Sequence, residues 1–408
     1  MTAKIKTQLS IMMFLEFFIW GGWFVTLGIY LPNTLGSTGS EIALAYSTQS
    51  WGAILAPFII GLIADRYFNA ERILGVLHLI GAALMYAMYQ ATDFSGFFPY
   101  LLVYMIMYMS TLALVNSVSF NQMKDPAKEF SFVRVFGTIG WITAGLLISY
   151  FNWDSQEGIT EGFLRNTFLM ASISSALLGI FSFTLPKTPP TADRSQKIKL
   201  ADILGLEALA LLKNRNFLIF FLASVLICIP LAFYYQHAGQ FLGEIGVANP
   251  AGKMTIGQIS EILFLLLLPF FFKRFGFKMT IVAAMLAWGL RYLMFAYGDT
   301  GELVFMLLTG IALHGICYDF FFVSGQIYTD SKAGAKYKSS AQGLITLATY
   351  GVGMLIGFWV AGAITDSYVS EGAQHDWNTI WLYPSAFAFL VLLLFVILFK
   401  NEKIAYKS

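Results

Sequence analysis

Five ionisable residues interrupt long apolar runs of this 408-residue chain: Glu16, Arg134, Glu261, Arg291 and Asp319. At a bilayer centre each costs at least about 2.5–3.5 kcal/mol on insertion scales, so such groups are expected to face a protein interior, find partners and mark a pathway. Glu261 follows Gln258 by three positions in GQISEILF, which places both on one helical face. An amide beside a carboxylate suits a neutral ligand rich in hydroxyl and amide groups, and a carboxyl withdrawn from water can carry a proton near neutral pH. A structural ion pair is the other reading of Glu261. In FVRVFGTIGW, Thr138 and Trp141 follow Arg134 at four and seven, so a cation, a hydroxyl and an indole form one column. A guanidinium can hold a carboxylate or fork onto carbonyl oxygens; placed near a helix end it could equally snorkel to the surface.

HGICYDFFFVSG holds His314, Tyr318, Asp319 and Phe322. His314 and Tyr318 share a face, whereas Asp319 is turned about 140° from His314 at 3.6 residues per turn. Only a bent helix would bring both into one cavity; in a straight one Asp319 pairs with a neighbouring helix. Tyr234, Tyr235, Gln236 and His237 follow Pro230, which frees a backbone carbonyl and permits a kink. That cluster reads as a broken, ligand-facing helix or as a wet helix end. Glu16, Trp20 and Trp23, at zero, four and seven, could line an outer cavity, although indoles also form interfacial belts. Arg291 reads as a lone ion-pair partner. His78, His237 and His314 lie in three different runs and no His-x-x-x-His pair occurs, so neither a metal site nor a cofactor is expected.

The elements that must position these residues follow from composition. Hydrophobic residues make up 58% of the chain and charged residues only 12%, against roughly a quarter charged in soluble domains. Mean hydropathy is +0.69. That is too little charge to cover a soluble globule. A net charge of +2 excludes a strongly basic nucleic-acid binder, and Cys228 and Cys317 both sit in apolar runs, so no disulfide framework is expected. Runs of roughly 20 apolar residues, enough for a bilayer core about 30 Å thick, occur at 8–32, 42–64, 70–91, 96–120, 132–151, 166–186, 217–242, 255–272, 277–298, 303–328, 339–365 and 377–399. Stretches such as ILFLLLLPFFF do not alternate, so an all-α membrane protein of twelve transmembrane helices is predicted rather than a β-barrel.

With the N-terminus in the cytoplasm, 21 of the 25 Lys and Arg residues fall on that side, and only Arg165 and Lys253 fall outside. The first run shows no small-residue cleavage site and reads as a span, and no Asn-x-Ser/Thr acceptor occurs. A bacterial inner membrane with both termini cytoplasmic is therefore expected. The longest polar stretch, 187–215, separates an N-terminal six-helix bundle (1–186) from a C-terminal one (216–408). Ile203, Leu206, Leu209 and Leu212 recur three apart in it, which suggests a short amphipathic helix on the membrane surface. Gly61-Leu62-Ile63-Ala64-Asp65-Arg66 followed by Arg72 stands between spans two and three, and a second basic loop, Lys273–Lys278, stands at the same place in the other half. This pattern resembles the major facilitator superfamily, two pseudo-symmetric six-helix bundles giving alternating access. Asp65 and Arg66 would then gate the conformational change rather than bind cargo.

A narrower resemblance runs end to end. Phe17-Phe18-Ile19-Trp20-Gly21-Gly22-Trp23, Arg134-Val135-Phe136-Gly137-Thr138, Gln258-Ile259-Ser260-Glu261, Leu290-Arg291-Tyr292, Tyr318-Asp319-Phe320-Phe321 and Ser340-Ala341-Gln342-Gly343 occur in order. The chain is similar to the nucleoside:proton symporters of that superfamily, the bacterial nucleoside permeases. The resemblance implies a substrate site of Arg134, Thr138, Trp141, Tyr235, Gln258, Glu261, His314, Tyr318 and Phe322, with Glu261 and Asp319 as proton-coupling candidates. The chain departs from the family where Ala232 and Tyr235 stand in place of amides, with Gln236 one residue away, and where His314 replaces a phenol. The partners implied are a nucleoside, a proton and the lipid bilayer, with no nucleic acid and a monomeric carrier. Trp141 or Tyr318 would stack on the base, and amide and carboxylate groups would bond the ribose. One charge moved with a neutral solute is worth about 2.3 kcal/mol per 100 mV, or about 50-fold accumulation. No Gly-x-x-x-x-Gly-Lys-Ser/Thr loop occurs, so ATP drive is not expected. Competing readings are a porter for another hydroxylated solute such as a sugar, an intramembrane enzyme using His314, Asp319 and Glu261, and a sensor.

Overall fold

A computed structural model describes residues 1–59, 67–124, 126–190, 206–369 and 374–402. Among these the chain is helical, with no strand beyond an isolated bridge between Val369 and His375. Apolar runs in lipid must satisfy every backbone group internally, which leaves helices as the solution for chains without strand alternation. The first eight helices are α1 (Ala3–Gly21), α2 (Leu27–Thr34), α3 (Gly39–Ile59), α4 (Ala70–Gln90), α5 (Phe94–Asn121), α6 (Pro126–Tyr150), α7 (Gln156–Thr160) and α8 (Asn166–Ser182). They are followed by α9 (Arg215–Glu244), α10 (Pro250–Tyr297), α11 (Val304–Ala312), α12 (His314–Tyr318), α13 (Ser324–Thr346), α14 (Met354–Ser367) and α15 (Trp377–Leu398). Short polar side chains fix several starts by accepting from free N–H groups: Asp93 from Gly96 at 2.8 Å, Asn214 from Phe217 at 3.1 Å and Asp376 from Thr379 at 3.2 Å.

Nine helical stretches among the described residues are long and apolar enough to cross a membrane. One of them, α10, contains Gly276 at φ 76° and ψ 173°, a conformation that glycine adopts and other residues avoid. A single residue thus separates two spans. The α1–α2 pair and α3 complete the expected twelve. The run at 8–32, read from sequence as one unbroken span, is interrupted by a turn at 22–26, where the poor helix formers Gly21 and Gly22 end α1. Between Asp330 and Gln342 the chain reverses. Gln342 Nε2 donates to the Gln326 carbonyl at 2.8 Å, whereas sixteen residues of straight helix would hold them about 24 Å apart.

Two compact units are present: Met1–Lys199 with Ala248–Thr255, and Leu200–Val247 with Ile256–Ser408. In the first, α1 packs on α6 and α8, α4 on α5 and α8, and α3 on α5. The segment 248–255 is tied to it by Asp154, which accepts from Ala251 N–H at 2.8 Å and Ser149 Oγ at 2.7 Å, capping α10. In the second, α9 packs on α14 and α15. Leu206–Lys213 is a 3-10 helix, whose three residues per turn match the three-residue leucine spacing; the rest of the expected surface helix lies outside the described residues. Polarity is inverted relative to a soluble protein. Leu266 is 75% exposed on α10, while Glu16 and Arg291 are fully buried. Apolar flanks for lipid and a polar interior are what a membrane span requires.

Candidate functional site

In the first unit, the spacing of glycines in RVFGTIGW explains how the residues of α6 are held. A Cβ on Gly140 would lie 2.1 Å from the Phe14 carbonyl oxygen, one on Gly137 2.7 Å from Phe17, and one on Gly21 2.8 Å from Trp141. Small residues three apart therefore let α1 and α6 touch backbone to backbone. That approach lays the Arg134 guanidinium 4.0 Å from the centre of the Phe17 ring and sets Trp141 edge-on to Trp20 at 5.4 Å. Arg134, Thr138 and Trp141 are all half-buried, so cation, hydroxyl and indole share a helix face that is neither sealed nor open.

Glu16 is not at a cavity rim. It is fully buried, with Oε2 2.8 Å from His78 Nε2 and Oε1 accepting from Thr111 Oγ1 at 2.6 Å. Trp23 is fully buried too, among Phe24, Tyr104 and Phe168, not in an interfacial belt. The cost of an intramembrane carboxyl is offset here by hydrogen bonds from two other helices.

In the second unit, two more glycines set the geometry. A Cβ on Gly315 would meet the Ser260 carbonyl carbon at 2.5 Å, and one on Gly257 the His314 Cβ at 3.2 Å. Gly315 N–H donates to Ser260 Oγ at 3.0 Å. The stretch carrying Gln258 and Glu261 is thereby clamped to the one carrying His314 and Tyr318. Gln258 and Glu261 are half-buried. His314 stacks on Tyr318 at 5.6 Å and on Tyr234 at 5.4 Å, and Arg291 Nη1 reaches its Nδ1 at 3.4 Å.

The helix does not run straight through this site. After α12 it widens to a π-helix over Asp319–Val323, a local rewinding often found at functional positions. His314–Tyr318 is regular α-helix, so the wider winding begins only at Asp319, after the residues over which the 140° separation is counted. Asp319 is 1% exposed, and its Oδ2 has no hydrogen-bond partner among the described residues. A second π-helix, Leu347–Gly353, carries Tyr350. Tyr350 and Tyr318 share a hydrogen bond between hydroxyls at 2.7 Å, and Phe322 stacks on Tyr350 at 5.7 Å. Nothing in the sequence marks Tyr350 except the Gly351–Gly353 pair beside it.

On α9, Tyr235 is half-buried against Tyr234. Gln236 is fully buried with both amide atoms unpartnered among the described residues. His237 is a satisfied core histidine, 3.1 Å from Gln240 Oε1 and 3.0 Å from Thr365 Oγ1, which disposes of the wet-end reading. Asp65 and Arg66, the expected gating residues, lie outside the described residues. No group of three metal-binding side chains occurs among the described residues.

The pattern of the nucleoside H+ symporter family matches residues 3–404. YegT of Escherichia coli K12 is 42% identical over 98% of this chain and 95% of its own length. The xanthosine permease of the same organism is 34% identical over 99% of each chain. The crystal structure of the nucleoside transporter NupG superposes with a TM-score of 0.86 at 31% identity, covering 98% of this chain and 100% of that one.

Proposed function

Because the chain belongs to the nucleoside H+ symporter family, we propose that it imports nucleosides across a bacterial inner membrane by alternating access, with Glu261 and Asp319 carrying the coupled proton. It is a multi-pass membrane transporter. The basic residues gathered on one set of loops support a cytoplasmic position for both termini. Arg134, Thr138 and Trp141 bind the nucleoside from the first unit; Tyr235, Gln258, Glu261, His314, Tyr318 and Phe322 bind it from the second. The carrier works as a monomer.

The observation that supports this most directly is the glycine clamp of Gly257 and Gly315, which packs His314 against the helix of Gln258 and Glu261. Amide, carboxyl, imidazole and phenol are brought together on rigid helices, a set matched to ribose hydroxyls and base edges. The test replaces Glu261 by Gln in reconstituted protein and compares proton-driven accumulation of labelled uridine with counterflow. Accumulation is expected to vanish while counterflow persists; accumulation at the wild-type level removes Glu261 from the coupling role.

A further inference from the structure

The first unit contains a buried couple that the transport reading does not use. Glu16 of α1 and His78 of α4 lie 2.8 Å apart, with 0% and 2% exposure. Ser175 Oγ on α8 donates to the His78 carbonyl at 2.8 Å and lies 3.1 Å from His78 Nδ1. The bond between Glu16 Oε2 and His78 Nε2 uses one hydrogen, carried by the carboxyl or by the imidazole.

The couple is wired to the aromatic face of α1. Thr111 Oγ1 on α5 bonds Glu16 Oε1 at 2.6 Å, and Tyr108 OH donates to the Glu16 carbonyl at 2.7 Å. In a helix that carbonyl also serves the N–H of Trp20. The rings of Tyr108 and Trp20 meet edge-on at 5.7 Å, and Trp20 meets Trp141 at 5.4 Å. We propose that the hydrogen-bonded couple of Glu16 and His78 positions Trp20 and through it Trp141 for the nucleoside. The proposal rests on Trp141 contacting substrate. Glu16 and His78 are positioning residues, since neither reaches the exposed face of α6.

The test uses the full chain in liposomes, reading uridine counterflow as KM and maximal rate per folded molecule. E16L leaves His78 Nε2 and Thr111 without their partner and is expected to raise KM about tenfold with little change in maximal rate. E16Q is expected to restore KM to within about twofold, because its amide N–H can donate to Nε2 while its carbonyl accepts from Thr111. A general loss of folding would lower the rate and would not be repaired by that choice of atoms. T111V removes one hydroxyl and is expected to raise KM about threefold; it decides the question if E16L does not fold. An unchanged KM in E16L or T111V, or E16Q no better than E16L, overturns the proposal. W141A is measured alongside. If W141A leaves KM unchanged, the substrate role of Trp141 fails; if W141A raises KM and E16L does not, only the couple's positioning role fails.

Discussion

The Arg291 guanidinium sits 3.4 Å from His314 Nδ1 and 3.3 Å from the centre of the Tyr234 ring. It is fully buried, it has no ion pair with a carboxylate among the described residues, and its Nε and Nη2 are unpartnered there. A buried cation without a counter-charge is a poor choice for stability alone. R291M, similar in volume and uncharged, is therefore expected to melt no lower than wild type while its KM for uridine rises about fivefold or more as His314 loses its partner. Melting curves and counterflow on one preparation check this. A large drop in melting temperature with unchanged KM would make Arg291 a structural residue only.

An arginine only donates, so His314 must accept at Nδ1 and keep its hydrogen on Nε2. It therefore offers an N–H to a ligand, as a phenol could, but not a lone pair. Glutamine places an amide nitrogen near the position of Nε2, whereas asparagine reaches only as far as Nδ1. H314Q is expected to keep a lower uridine KM than H314N, by about fivefold if one hydrogen bond separates them. Equal values would show that Nε2 does not meet the substrate.

The number of spans is legible in the sequence because charge and turn residues punctuate nearly every apolar run. The Gly276 break shows how little is needed: one glycine among Lys273, Arg274 and Lys278 divides 48 residues of helix. Face-sharing is legible as well, since Arg134, Thr138 and Trp141 recur at helical spacing. The π-helices are not, because the positions they bring together depend on a local change of winding that no residue type dictates. Tyr350 is invisible for that reason. Glu16 is noticed in the sequence and its partner is not: His78 stands alone in an apolar run 62 positions away, and only the packing of α1 against its neighbours brings the two together.

Close packing of α1 on α6 yields a paired prediction. At Gly140 an added methyl would strike the Phe14 carbonyl at 2.1 Å, and backbone cannot swing aside as a side chain can. At Gly343, also helical, no described residue lies within 4 Å of the same methyl. G140A is expected to cost about 1–3 kcal/mol or more through overpacking and to part Trp20 from Trp141. G343A is expected to gain about 0.5–1 kcal/mol from helix propensity. Thermal melting should move in opposite directions for the two; a shift of the same sign and size would mean that α1 and α6 do not depend on the missing Cβ.

Asp154, in the loop after α6, gives a pH dependence whose sign can be worked out. Burial pushes its carboxyl above the ordinary range, opposed in part by hydrogen bonds from Ser149 and from the Ala251 N–H. The folded protein thus holds this proton more tightly than the unfolded chain does. Its contribution is fully present below the ordinary carboxylate pKa and is lost as pH rises through the higher folded value. Asparagine can accept from the same two donors and does not titrate. The melting temperature of wild type minus that of D154N is therefore expected to fall as pH is raised across that window, then level off. Ser149→Ala removes one of the bonds that favour the carboxylate, so it should extend the window upward. A difference between wild type and D154N that stays flat, or grows with pH, would show that burial does not dominate at Asp154 and that the cap on α10 owes its strength to the charged form.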